Sequence, residues 1–144
     1  MSKSYKGFTL IELLVVIAII GLLSTLAIVA LGKAREEARD SRRLSDLSAI
    51  QTSLEKYYID QSAYPTVPAP GVVLGEGQSA CLNNTGFAPL GCPDAYLSLV
   101  PADPGDGKYI YTSVDGASYT IEATLEGQVN GIGGKIRATP SGIQ

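Results

Sequence analysis

Three sets of residues in this chain carry chemical potential: a lone carboxylate in an apolar run, two cysteines, and acids in glycine-rich turns. Glu12 lies within Phe8 to Gly32, whose only other polar residues are Thr9, Ser24 and Thr25. A carboxylate at helix-centre depth in a membrane costs about 2.5–3.5 kcal/mol on insertion scales, so it requires a partner. Cys81 and Cys92 enclose the ten residues Leu82 to Gly91. Asp103, Asp106 and Asp115 sit in Pro-Ala-Asp-Pro-Gly-Asp-Gly and Val-Asp-Gly. Such acids can chelate calcium together with backbone carbonyls, but the spacing is not that of an EF-hand, and turn formation explains them equally well. No metal ligand is named on this basis. The chain has no His and no Trp, which removes Ser-His-Asp and Cys-His catalysis and every His-ligated metal site. No suitably spaced carboxylate pair stands out for glycosidase-type chemistry. The expectation is a protein that is not an enzyme.

The elements that must hold these residues follow from where the charge is missing. The 144 residues are 45% hydrophobic and 17% charged, lean for a soluble domain. The deficit is local: Leu13 through Gly32 are twenty residues without a charge, about 30 Å of helix, one bilayer core. Beyond Gln61 only about 80 residues remain, a small domain that needs a staple or a partner. Lys33 to about Asp60 is rich in charge, lacks Pro and Gly, and spaces Leu44, Leu47, Ile50, Leu54 and Tyr57 by 3, 3, 4 and 3, the period of an amphipathic helix. Nothing breaks the two stretches apart, so one helix is predicted from Phe8 to about Asp60. The pairs Glu36/Arg39, Asp40/Arg43 and Arg42/Asp46 are three or four apart and read as a solvated face. Tyr64-Pro65 stops the helix. The Gly/Pro-rich stretch to Pro104 is too irregular for a repeating element. Lys108 to Ser113 and Ser118 to Glu126 then alternate with period two around the hairpin signal Asp115-Gly116, placing Tyr119, Ile121, Ala123 and Leu125 on one face. A third strand is expected near Lys135 to Thr139. The predicted fold is α+β, a long helix packed on a small antiparallel sheet, organised as 1–7, 8–32, 33–61 and 62–144.

Lys3 and Lys6 before an apolar run fit a secretory signal, yet the run exceeds the usual length of about 7–15 residues and no A-x-A site follows. A simple anchor with Glu12 among the headgroups, about 9 Å beyond Lys6, is a second bland alternative. The run Lys6-Gly7-Phe8-Thr9-Leu10-Ile11-Glu12-Leu13-Leu14-Val15-Val16 resembles the class III leader of type IV pilins and type II secretion pseudopilins. It has the short basic leader, the glycine before the cut, the Phe after it and the Glu four residues later. The resemblance implies the pilin fold, with a 1–7 leader peptide removed by a prepilin peptidase between Gly7 and Phe8, and N-methylation of Phe8. The freed amine, with a reference pKa of roughly 8, would be cationic at neutral pH. Two charges about 4 Å apart attract by about 4 kcal/mol at an effective dielectric of 20, which recovers the insertion cost. Glu12 of an incoming subunit is therefore expected to pair with the Phe8 amine of its neighbour during assembly. Gly21 and Thr25 form a small-xxx-small pair that would let helices approach. Many family members carry proline eight residues after the position of Gly21; Val29 stands here and favours a straighter helix.

The segment Leu44 to Thr66 is similar to the helix end and Tyr-Pro turn of major pseudopilins. Leu99-Val100-Pro101-Ala102-Asp103-Pro104 and Tyr109-Ile110-Tyr111 resemble their Pro-x-Asp-Pro and Tyr-x-Tyr segment, without the Trp-Gly that commonly follows and with the cysteine loop added. The family implies a homopolymer, a prepilin peptidase, an assembly ATPase and an inner-membrane platform protein as partners, with membrane lipid around the helix before assembly. It also implies possible calcium in the C-terminal loops. The expected location is the bacterial inner membrane, single-pass, with the N-terminus cytoplasmic and the globular part periplasmic or extracellular. A count of Lys and Arg, two in the leader against five from Lys33 to Arg43, would give the opposite orientation; the cytoplasm-facing peptidase implied by the leader decides for the first. Inside a cell the two cysteines would read as buried thiols or half a metal site, though no second pair completes four ligands. Outside the membrane a Cys81–Cys92 disulfide is the natural reading, worth roughly 3 kcal/mol for so short a loop. Without the leader the chain has 9 basic and 14 acidic residues, net −5, which disfavours direct nucleic-acid binding. The leading function is a filament subunit, a pseudopilus or thin pilus, with an adhesive or DNA-uptake filament as the rival.

Overall fold

The computed structural model describes residues 7–144; the basic leader residues Lys3 and Lys6 lie outside them. One helix, α1, runs over Leu10–Gln61, as the absence of an internal breaker predicts, and it is helical without interruption through Val29. The chain divides into two compact units, the first ending at Arg35 and the second comprising Glu36–Gln144.

In the first unit every large apolar side chain from Phe8 to Leu31 is exposed, and among the described residues this is the one helix long and apolar enough to cross a membrane. Its hydroxyls are satisfied locally. Ser24 Oγ donates to the Ile20 carbonyl at 2.7 Å and Thr25 Oγ1 to that of Gly21 at 2.9 Å, the back-bonding that removes free donors from an apolar medium.

The second unit is the α+β body. Strands β1 (Val67–Val73), β4 (Ile110–Ser113), β5 (Thr120–Val129), β6 (Ile132–Thr139) and β7 (Gly142–Ile143) form one antiparallel sheet in the order β1-β4-β5-β6-β7. A separate hairpin pairs β2 (Cys81–Asn83) with β3 (Gly86–Ala88). The irregular reading of 64–104 is corrected here, because Val67–Val73 is a strand despite Pro68 and Pro70. It lies at the sheet edge, where proline's missing donor is tolerated, and its register with β4 shifts between Val67 and Val72. The predicted hairpin is present, with Tyr111 opposite Ile121. Gly116 has φ +75°, and an added Cβ would lie 3.1 Å from both the Ala63 methyl and the Tyr64 carbonyl. The turn therefore needs glycine twice over, for its backbone and for its approach to the end of α1.

Leu47, Ile50, Leu54 and Tyr57 of α1 are buried against Tyr119, Ile121, Ala123 and Leu125 of the sheet and Tyr109 and Tyr111 beside them. Tyrosine supplies both bulk and anchors. The ring centroids of Tyr64 and Tyr119 are 4.7 Å apart and those of Phe87 and Tyr111 4.9 Å, both edge-to-face, worth about 0.5–1.5 kcal/mol each beyond burial. The hydroxyls then tie elements together: Tyr109 donates to Asp46 at 3.1 Å, Tyr64 to Glu55 at 2.8 Å and Tyr111 to the Pro65 carbonyl at 2.8 Å.

Candidate assembly site

Glu12 sits in the first turn of α1, and its carboxylate folds back on the helix start. Thr9 N and Oγ1 both donate to Glu12 Oε2, at 3.1 and 2.9 Å, while Glu12 N donates to Thr9 Oγ1 at 3.3 Å. This reciprocal arrangement is a capping box, which satisfies two donors that any helix start leaves free. Among the described residues Oε1 makes no hydrogen bond. One carboxylate oxygen is thus committed to the chain's own helix and the other is open. Gly7 and Phe8 immediately precede the cap, outside the helix, with Phe8 83% exposed. Gly21 presents open space where a Cβ would stand.

The second charged site lies inside the α+β body. Arg43 is 2% exposed and meets three carboxylates. Its Nε and Nη2 donate to Asp103 Oδ2 and Oδ1, both at 2.8 Å, and its Nη1 donates to Asp40 Oδ1 at 2.7 Å and to Glu126 Oε1 at 2.8 Å. Asp40 also accepts the backbone N–H groups of Glu126 at 3.0 Å and Gly127 at 2.7 Å, at the bulge that β5 makes beyond Thr124. Arg39 closes the network with a double hydrogen bond to Glu126. The expectation of a solvated face is overturned for Asp40 and Arg43: they extend the buried stripe of α1 by two positions, at the same spacing as Leu47, Ile50 and Leu54. Arg39 likewise pairs across to β5. Arg42 and Asp46 do pair along the helix, at 3.9 Å, with Arg42 largely exposed.

The electrostatics follow from these partners. Arg43 holds the Asp103 carboxyl below its ordinary range against the opposing effect of burial. Burial pushes Asp40 up, but the amides of Glu126 and Gly127 and the Arg43 guanidinium together bring it below its usual value. Glu126, hydrogen-bonded by Arg39 and Arg43, is lowered to about 2. Arg43 is held above its ordinary value, first by Asp103. All four groups stay charged at any physiological pH.

Cys81 and Cys92 form a disulfide, with Cα atoms 6.3 Å apart, inside the usual range; it pins the β2–β3 hairpin. The three loop acids do not converge. Asp103 faces Arg43, Asp106 lines the adjoining cleft of about 540 Å³, and Asp115 accepts the Ala117 N–H of its own turn at 3.0 Å. The Asp115 turn meets Ala63 just past the end of α1, and that end lies roughly 27 Å of helix rise beyond Arg43.

A family model for the prokaryotic N-terminal methylation motif matches residues 2–31. The type II secretion system core protein G of Dickeya chrysanthemi is 34% identical over 110 residues, spanning 76% of this chain and 69% of the relative. That of Vibrio cholerae is 31% identical over 136 residues, 91% of this chain and 88% of the relative. The chain belongs to this pseudopilin family. A fimbrial protein of Pseudomonas aeruginosa is 29% identical over 142 residues, 96% of this chain and 90% of the relative, so the likeness extends to pilins. No solved structure matches.

For this pseudopilin, reasoning from sequence singled out Gly7, Phe8 and Glu12 as expectations and paired Cys81 with Cys92, as the structure does, but it did not single out two further residues. Thr9 is the capping residue for Glu12, and the Thr-x-x-Glu spacing before an apolar run signals it. Arg43 as the centre of a buried network had no local signal, since its partners Asp103 and Glu126 lie 60 and 83 residues away.

Proposed function

We propose that this pseudopilin is the polymerising subunit of a pseudopilus or type IV pilus-like filament. It is inserted in the inner membrane with its N-terminus cytoplasmic, cut between Gly7 and Phe8, N-methylated on Phe8, and drawn into the filament by an assembly ATPase and a membrane platform protein. The observation that carries the reading is the open oxygen of Glu12 at the head of a wholly exposed apolar helix. Thr9 fixes the carboxylate rotamer through Oε2, so Oε1 presents an acceptor for the methylated amine of an adjoining Phe8. Lipid covers the apolar face before assembly and other copies cover it afterwards. The work is done by the polymer, and the acidic balance of the chain argues that any DNA uptake would use another subunit.

Two measurements on cell-derived material test this. Mass analysis should find a mature N-terminus of N-methylated Phe8; retained residues 1–7 would remove the amine and the mechanism with it. Glu12→Leu should leave cleavage intact and abolish filaments, whereas wild-type polymer yield from that variant would refute the pairing.

A further inference from the structure

We infer that the buried guanidinium of Arg43 does the work of a divalent cation in this head, so that the Pro101–Tyr109 loop is organised without calcium. The family resemblance implies calcium in the C-terminal loops, and the donors here do not fit it. No three Asp, Glu or Cys side chains among the described residues are grouped to hold an ion. The acids that do come close are already spent on nitrogen: both Asp103 oxygens on Arg43, Glu126 on Arg39 and Arg43, and both Asp40 oxygens on the amides of Glu126 and Gly127.

The loop is shaped around this cation of the chain's own. A Cβ at Gly105 would lie 2.9 Å from Arg43 Nη2 and 3.5 Å from Asp103 Oδ1, and one at Gly107 would lie 2.7 Å from Asp103 Oδ2. Gly105 N also donates to Asp103 Oδ1 at 2.8 Å. The backbone thus wraps Asp103 as a metal loop wraps a ligand, with the planar fork of Arg43 in place of the ion. A calcium ion takes six to eight oxygens and supplies two charges; here one charge and four directed hydrogen bonds, two of them to the loop's Asp103 and one each to Asp40 and Glu126, tie the loop to α1 and β5.

The test is thermal unfolding of the full-length protein in detergent, with calcium chloride at about 5 mM, with EGTA, and with sodium chloride of matched ionic strength. Wild type should melt at the same temperature in all three. Arg43→Gln should melt several degrees lower in EGTA and regain part of the loss in calcium but not in sodium, because Asp103 then loses its cation, Glu126 keeps only Arg39, and an added ion can bridge the two. Should Arg43→Gln fail to fold, Arg43→Lys, which keeps one charge but cannot span three carboxylates, should show the same calcium response. A calcium-dependent rise in wild type overturns the inference. So does a variant that melts like wild type, or one that calcium does not raise.

Discussion

Glu12 and Arg43 are both charges on α1, and they are satisfied in opposite ways. Glu12 is exposed and draws its hydrogen bonds from Thr9, three residues away. Arg43 is buried and draws most of its own from residues 60 and 83 positions distant. The local solution works in a helix that has no tertiary cover, and it leaves one oxygen unspent. The distant solution exists only once the body has folded, and it leaves little hydrogen-bonding capacity unspent. A charge without tertiary cover is therefore half satisfied by its own turn, while a charge that locks a fold is nearly saturated.

That contrast can be broken from the Arg43 side with the largest effect. Arg43→Met should destabilise the body by about 3–5 kcal/mol, since it strands Asp40 and Asp103 as buried charges without their cation; urea unfolding of the full-length protein in detergent would read it. A loss under about 1 kcal/mol would place Arg43 with ordinary surface charges. The pH dependence comes next. Asp40, Asp103 and Glu126 all have lowered pKa values in the fold, so the unfolded chain binds more protons in acid. Their contribution is present above the ordinary carboxylate values and is lost as pH falls, for Glu126 between about 4.5 and about 2. Melting temperature should drop through that window, and Arg43→Met should flatten the slope.

On the Glu12 side the effect is smaller. Thr9→Val removes the cap and should cost about 0.5–2 kcal/mol of local helix stability, read by amide hydrogen exchange over Leu10 to Leu13, while Thr9→Ser should retain it. Equal protection in Thr9→Val would mean that the capping box is idle. Smallest of all, Lys135→Ala breaks a pair with Glu122 in which Lys135 is 68% exposed and should change stability by less than about 0.5 kcal/mol.

Much of the body was legible beforehand because the signals were periodic. The 3-3-4-3 spacing from Leu44 to Tyr57 marked the helix face that is buried, and the alternation from Tyr119 to Leu125 marked the matching sheet face. The Asp115-Gly116 turn was readable because a tight hairpin demands positive φ, which glycine supplies. Strand β1 was not readable, because two prolines argue against a strand until its place at the edge is known. Asp40 and Arg43 were not readable either, since a pair three residues apart looks the same on a wet face as on a dry one.

By itself the sequence determined the uninterrupted helix, its apolar first half, the capped acid near its start and the strand pairing around Asp115-Gly116. These depend on neighbours within one helical turn or one hairpin, where spacing alone dictates contact. Only the tertiary structure decided that Arg43 is buried, that Asp103 and Glu126 answer it, and that a proline-bearing segment becomes an edge strand. Those outcomes rest on residues brought together from far apart in the chain, and burial turns a weak surface pair into a cation that the fold cannot lose.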